Sequence, residues 1–499
     1  MSNECTSRRQ FLKAGLSIGA ATFPSLSILG CAAPTRPTQA AKANAADHTL
    51  HINNAAVEIA PNRIVSATTY NGQFPGPLLR LKEGQWTAID VFNETDTPEQ
   101  LHWHGQNISA DVDGAAEEGT PFIPAHGYSR IEFTPDPAGL HFYHTHMRAG
   151  ANLAGGQYSG EVGVLYVEPK NNAGAYDQEI FLVMKEFEPS FSRGGDMDMN
   201  FLLPTTRDKS LESIGESAMK ASLGKGMPHG FEVGYGSFTI NGRMLGHGQP
   251  IRVKRGQRVL FHVLNASATE IRSLAMPGHT FQVVALDGNP VPNPVSVPVL
   301  WLGTAERISA VVEMNHPGVW VLGDLDNDDR GHGMGIHVEY AGSVGKAQWI
   351  APEPFKWAYS RFAEPGAVAA LPDETITMTF AKENAAEAGF NRWTINGVSY
   401  PMEQTIAPAS FHLRHGKRYR IRMLNQSDDI HPIHLHRHNF ELTSIAGQAC
   451  SGVRKDVIMV GGYQQMEIDF VADNPGLTLF HCHQQLHMDF GFMTLFDYV

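Results

Sequence analysis

The run His481-Cys482-His483-Gln484-Gln485-Leu486-His487 near the C-terminus sets a thiol between two imidazoles, with a third imidazole four residues beyond. On a strand, successive side chains point to opposite faces, so Cys482 faces one way and His481 and His483 the other. One strand can then serve two metal centres. A thiolate with two imidazoles is the ligand chemistry of a blue-copper electron-transfer site, and the back-facing histidines can hold a second centre one residue away.

Further imidazole pairs lie at His102-Trp103-His104, His144-Thr145-His146 and His431-Pro432-Ile433-His434-Leu435-His436. Each H-x-H aims two imidazoles from one face of a strand. A shuffled chain with the 24 histidines of this one would hold about one such pair. Five are present: one in each of the four motifs, and His436 with His438.

An internal repeat carries these motifs. Asn-Gly recurs at Asn71-Gly72, Asn241-Gly242 and Asn396-Gly397. A later glycine opens an alternating strand that closes on Asn: Gly84 to Asn93, Gly256 to Asn265 and Gly416 to Asn425. In each unit another glycine stands five residues before the ligand run: Gly139 before His144-Thr145-His146, Gly318 before Gly323-Asp324-Leu325, and Gly476 before His481-Cys482-His483. This predicts one small β domain per repeat. Only the third has the thiolate. The middle unit, reading Arg272 to His279 where the third reads His431 to His438, has lost every ligand and is expected to be a copper-free spacer. Because His279 persists there, its counterpart His438 is assigned to the fold and left out of the site.

The four motifs, two in the first third and two in the last, resemble those of the multicopper oxidases, specifically the three-domain laccase-like branch. The resemblance spans nearly all the chain after the leader. It implies an all-β fold of three cupredoxin-like Greek-key β-sandwich or barrel domains, at 47–172, 173–345 and 346–499, after a leader at 1–46. It also implies four copper ions. Type 1 copper is expected on His431, Cys482 and His487, and type 2 copper on His102 and His434. The type 3 pair is expected on His104, His144 and His483 for one ion and His146, His436 and His481 for the other. The cluster then lies between the first and third domains.

That family couples one-electron oxidation of a substrate at type 1 copper to four-electron reduction of O2 to water, which consumes protons. Asp113, in Asp111-Val112-Asp113-Gly114, resembles the family's acid beside type 2 copper; an Asp before Gly also suits a turn. Related bacterial enzymes often carry Glu directly after the last type 1 histidine, but Met488 stands here, and Asp489 resembles the acidic position of fungal laccases. At the axial position, ten residues after the cysteine, the chain has Phe492, which cannot coordinate.

Composition agrees. A length of 499 residues suits about three domains, and 49 glycines with 30 prolines suit many short strands and turns. Alternation over Val253 to Leu264 and Tyr419 to Leu424 reads as β-sandwich. One polar stretch, Asp208 to Leu223, reads as a surface helix within an insertion from Glu188 to Gly230. Losing five basic residues and one acidic residue with the leader takes the net charge from −13 to −17, which speaks against nucleic acid and anionic membranes as partners.

The leader reads Ser7-Arg8-Arg9-Gln10-Phe11-Leu12-Lys13, a twin-arginine signal for export through the Tat machinery to the periplasm. The stretch from Ala14 to Gly30 is too short and too weakly apolar for a membrane span, and none is expected in the mature chain. Ile28-Leu29-Gly30-Cys31 loosely resembles a lipoprotein cleavage site, which would place a lipid on Cys31; cleavage between about Ala40 and Ala46 is the alternative. Cys5 and Cys31 fall in the leader, leaving Cys450, read as a buried thiol, and Cys482.

The expected function is a laccase-like oxidase using O2 and a small aromatic reductant. The alternative is a periplasmic cuprous oxidase acting on Cu(I), whose relatives usually carry a methionine-rich segment; here the 18 methionines are scattered. A non-catalytic structural member of the fold would have lost ligands, and a copper store would not need a thiol flanked by cluster histidines.

Overall fold

Both residues of the Asn71-Gly72, Asn241-Gly242 and Asn396-Gly397 turns have positive φ, near 52–57° for Asn and 69–78° for Gly. That is the mirror-image hairpin turn, which these two residues adopt at least cost. Each Asn then ties the turn to the first strand of its unit. Its Oδ1 accepts from the backbone N–H of His51, Val183 or Thr379, and its Nδ2 donates to the carbonyl of Thr49, Phe181 or Thr377.

The strands that close on Asn have a second shared role. Ile89–Asn93, Val259–Asn265 and Tyr419–Asn425 each run parallel to the first strand of their unit, pairing with His48–Ile52, Gln178–Met184 and Glu374–Phe380. The closing Asn braces the loop that follows. Oδ1 of Asn93, Asn265 and Asn425 accepts from the N–H two residues on, and Nδ2 reaches carbonyls across the loop at Ile123, Leu302 and Gly461.

The computed structural model describes residues 45–499 apart from 171–173, 175, 193–198, 225–228 and 402–406. The expectations for Arg8, Arg9 and Cys31 lie outside the described residues. Six sheets come as three face-to-face pairs: two four-stranded sheets within 48–168, a six- and a five-stranded sheet within 178–340, and a seven- and a five-stranded sheet within 374–498. The fold is therefore all-β, in three cupredoxin-like sandwiches. Their interiors bury aromatic and branched side chains such as Trp103, Phe261 and Ile421, each contributing about 1.5–3 kcal/mol. Among the described residues no helix is long and apolar enough to cross a membrane.

The helix in the insertion spans Lys209–Gly224, started by Asp208, whose Oδ1 accepts from the N–H groups of Ser210 and Leu211. It docks on the third sandwich: Gly215 packs so closely on the carbonyl of Gln426 that a Cβ would lie 2.3 Å from that oxygen. His279 and His438 make the same bonds, each from Nδ1 to the carbonyl two residues before and from Nε2 to a tyrosine hydroxyl, Tyr340 or Tyr498. The histidine at that position serves the fold in both sandwiches. Cys450 is a free, buried thiol.

Candidate metal centre

Strand parity sorts the ligands. His431–Leu435 pairs antiparallel with Thr478–Cys482, setting Ile433 opposite Cys482 and His434 opposite His481. Ile433, Leu435 and Cys482 face the core of the third sandwich. His431 shares the parity of Ile433 and Leu435 and faces inward too, while His434, His436, His481 and His483 face out toward the first sandwich. There, His102–His104 pairs with Gly139–His144, placing His102 opposite His144. Trp103 goes into the core, and His102 and His104 turn the other way.

Inside the third sandwich, Cys482 Sγ lies 3.7 Å from His431 Nδ1 and 3.5 Å from His487 Nδ1. His487 comes from the short helix Gln485–Asp489 that follows the strand. Burial pushes the Cys482 thiol up and the two imidazoles down, so the set prefers neutral ligands and gives up the thiol proton only to a cation. Ser427 Oγ bonds His431 Nε2 at 2.7 Å, leaving Nδ1 to face the sulfur.

Between the sandwiches, donor atoms within 4.8 Å of one another form the groups His102/His104/His434, His104/His144/His483 and His146/His436/His481. Five of the outer ring nitrogens are occupied. Nδ1 of His102, His144, His434 and His481 donates to the carbonyl of Asp113, Thr145, Asp456 and Cys482, and Nδ1 of His436 bonds Asp113 Oδ2 at 2.9 Å. Most of the inner ones have no such partner: Nε2 of His102, His104, His144, His146, His434 and His483 is buried without a hydrogen bond, while Nε2 of His436 and of His481 face each other at 3.0 Å. Buried polar atoms left so in a shared space are what a metal satisfies, so the residues present fit copper.

Every ligand position expected from the sequence is in one of these sets. Asp113 is fully buried and contacts two rings, His102 and His436. Asp489 is placed differently. Its carboxylate accepts from the N–H groups of Ala149 and Gly150 and from Gln485 Nε2, and burial pushes it up to about 7. Phe492 is buried with its ring centroid 4.8 Å from that of His431. Met488 and Met493 lie in a separate apolar cluster with Ala115, Tyr400, Leu479 and Leu495.

Two acids escaped the sequence reading. In the turn Ala116–Glu118, Glu117 Oε2 lies 3.7 Å from His146 Nδ1 and Glu118 Oε1 lies 3.6 Å from His436 Nδ1. Against the effect of burial, bonding to His146 and the nearby Arg148 hold Glu117 down to about 2. Burial and Asp113 push Glu118 well up. Their only signal was a Glu-Glu pair just after Asp113. Trp393, also missed, packs on both inner imidazoles, 4.2 Å from His487 and 4.8 Å from His431 between centroids. In the middle sandwich, expected from the sequence to be a copper-free spacer, no histidine–cysteine metal group forms among the described residues, and its Arg307 reaches His104, Nη1 standing 3.4 Å from Nδ1.

With three such sandwiches and these ligand sets, the chain belongs to the multicopper oxidases. Three profiles of that family match residues 51–172, 214–338 and 372–499. The chain is 29% identical over 517 residues to multicopper oxidase MmcO of Mycobacterium tuberculosis, covering 99% of this chain and 97% of that one. It is 25% identical over 494 residues to Laccase-4 of Thanatephorus cucumeris, covering 86% and 85%. Among solved structures, the laccase from Botrytis aclada superposes with a TM-score of 0.71 at 19% identity, over 90% of this chain and 87% of that one. A multi-copper oxidase from Pseudomonas thermotolerans superposes with 0.67 at 23% identity, over 91% and 100%.

Proposed function

We propose that this oxidoreductase is a laccase-like oxidase of phenols and aromatic amines. It would hold four copper ions: type 1 on His431, Cys482 and His487, type 2 on His102 and His434, and a type 3 pair on His104, His144, His483 and on His146, His436, His481. Bound copper supplies the one-electron chemistry that couples oxidation of the reductant to reduction of O2 to water, which side chains alone do not provide.

The chain's own part is positional. Cys482 is bonded through the backbone to His481 and His483, and the His481 ring also donates to the Cys482 carbonyl, so the inner set and the cluster are joined by the shortest covalent path a strand offers. Asp113 fixes two rings by accepting at His102 and His436 and is the acid we assign to the proton supply. Asp489 is carried as a further acid on the wall between the first and third sandwiches. Export by the Tat route to the periplasm, with a lipid on Cys31 as a variant of it, belongs to the same proposal.

The observation that carries the choice of reductant is the wall around the inner set. Trp393 and Phe492 stack on each other, both meet the His431 ring edge-on, and Trp393 lies tilted against His487, while the neighbouring Met488 and Met493 pack elsewhere. An aromatic wall without a sulfur donor suits aromatic reductants over Cu(I). Steady-state O2 consumption by copper-loaded protein, comparing a substituted phenol with Cu(I), tests this. A much higher kcat/KM for Cu(I) would make the chain a cuprous oxidase instead.

A further inference from the structure

Arg307, on the strand Arg307–Glu313 of the middle sandwich, has no exposed surface. Its guanidinium forks onto Asp456 of the third sandwich, Nη1 to Oδ1 at 2.6 Å and Nη2 to Oδ2 at 2.5 Å. Its Nε donates to the Leu140 carbonyl of the first sandwich at 3.3 Å. Asp456 then meets two of the copper-side imidazoles: its carbonyl accepts from His434 Nδ1 at 2.7 Å, and its Oδ1 is the carboxylate oxygen facing His104 Nδ1, at 3.6 Å. Asp287 holds the arrangement from behind, Oδ1 accepting from the N–H of Arg307 and Oδ2 from the N–H of Val457.

Gly105, directly after His104, shows how little room is left. A Cβ there would stand 2.6 Å from Asp456 Oδ2 and 2.7 Å from Arg307 Nη2, and its φ of +83° already favours glycine. For His104 Nε2 to offer a lone pair, Nδ1 must carry the proton. A guanidinium has no lone pair to accept it, so the acceptor on offer is the Asp456 carboxylate, just beyond hydrogen-bond distance at 3.6 Å, and the arginine sets where that carboxylate sits.

We propose that Arg307 of the middle sandwich, locked to Asp456 of the third, is a positioning residue for the imidazoles of His104 and His434. The copper-free sandwich thereby sets the geometry of a cluster to which it gives no ligand. The inference rests on the reading that these imidazoles hold copper.

The test uses copper-loaded Arg307→Lys, which keeps the charge and loses the fork, and Asp456→Asn. Retention of type 2 copper, followed by its electron paramagnetic resonance signal against a graded chelator, is compared with the blue band of Cys482. Copper at His434 should be held about 10- to 100-fold less tightly, with an altered type 2 signal and an unchanged blue band. Where a lone buried charge prevents folding, the double variant Arg307→Gln with Asp456→Asn leaves none and should show the same selective loss. Wild-type type 2 retention and signal in the folded variants, or parallel loss of blue and type 2 copper, would overturn the proposal. A wild-type protein that takes up no type 2 copper would instead refute the ligand reading beneath it.

Discussion

Arg272 and Asp324 of the middle sandwich stand at the strand positions that His431 and Cys482 hold in the third, and their side chains face each other at 3.9 Å. In the first sandwich the same two positions are Glu99 and Thr145, with Thr145 Oγ1 donating to Glu99 at 3.5 Å. One interior pocket thus carries three chemistries: a buried ion pair, a hydroxyl on a carboxyl, and a thiol beside an imidazole. Only the last is a ligand set for a soft metal.

Cys482→Ser should abolish the intense blue absorption, which needs copper bonded to thiolate, and abolish oxidation while sparing most of the cluster copper. His434→Ala should do the reverse. Absorption spectra with copper counts check both, and sustained O2 reduction by the histidine variant would contradict the ligand assignment.

The axial position is filled by carbon. Phe492→Met would supply a weak donor that stabilises the oxidised metal, so the type 1 potential should fall and poorly reducing phenols should slow more than easily oxidised ones. A redox titration with a series of substituted phenols checks this.

Asn425→Ala removes bonds from Asp429, Gly461 and Ser427, at a cost of about 2–3 kcal/mol. Since Ser427 also bonds His431, the blue band should shift as well. Asn265→Ala, losing the matching bonds in the middle sandwich, should cost a similar amount and leave the band alone. Thermal melts and spectra of the two variants separate the effects.

Burial pushes Glu99 up to about 7, against about 4.3 in an unfolded chain. Between those values the folded state keeps a proton that the unfolded state gives up, so this contribution to stability is full below about pH 4.3 and is lost as pH rises through 7. Glu99→Gln cannot titrate. Across that window wild-type stability should fall more steeply than the variant's, by up to about 1.4 kcal/mol per pH unit, measured by denaturant unfolding at several pH values.

Replacing Arg8 and Arg9 by Lys should strand the precursor in the cytoplasm. Cell fractionation checks it, and normal periplasmic levels of the variant would show the export signal to be misread.

Much of this was legible because it is periodic. H-x-H on a strand aims two rings at one face, and Asn-Gly fixes a turn, so residues two apart or at equal spacing in each repeat announce their roles. The exchange of His431 and Cys482 for Arg272 and Asp324 could be seen only as missing ligands; that the two charges meet depends on strand pairing. Glu117, Glu118, Trp393 and Arg307 carry no periodic mark. Arg307 and Asp456 lie 149 residues apart in different sandwiches, and nothing local to either predicts the other. The helix Lys209–Gly224 was readable as a helix, but its seat on Gln426 was not, because a polar helix does not reveal which surface takes its narrow side.

The spread of the ligands along the chain sets a timetable. No group is complete before His434 has been synthesised, and three of the five wait for residues from His481 to His487. The middle sandwich must be in place as well, since Arg307 braces the junction. On the proposed ligand sets, metal capture would follow synthesis and folding of the third sandwich, and bound copper would report a chain that has folded past His487.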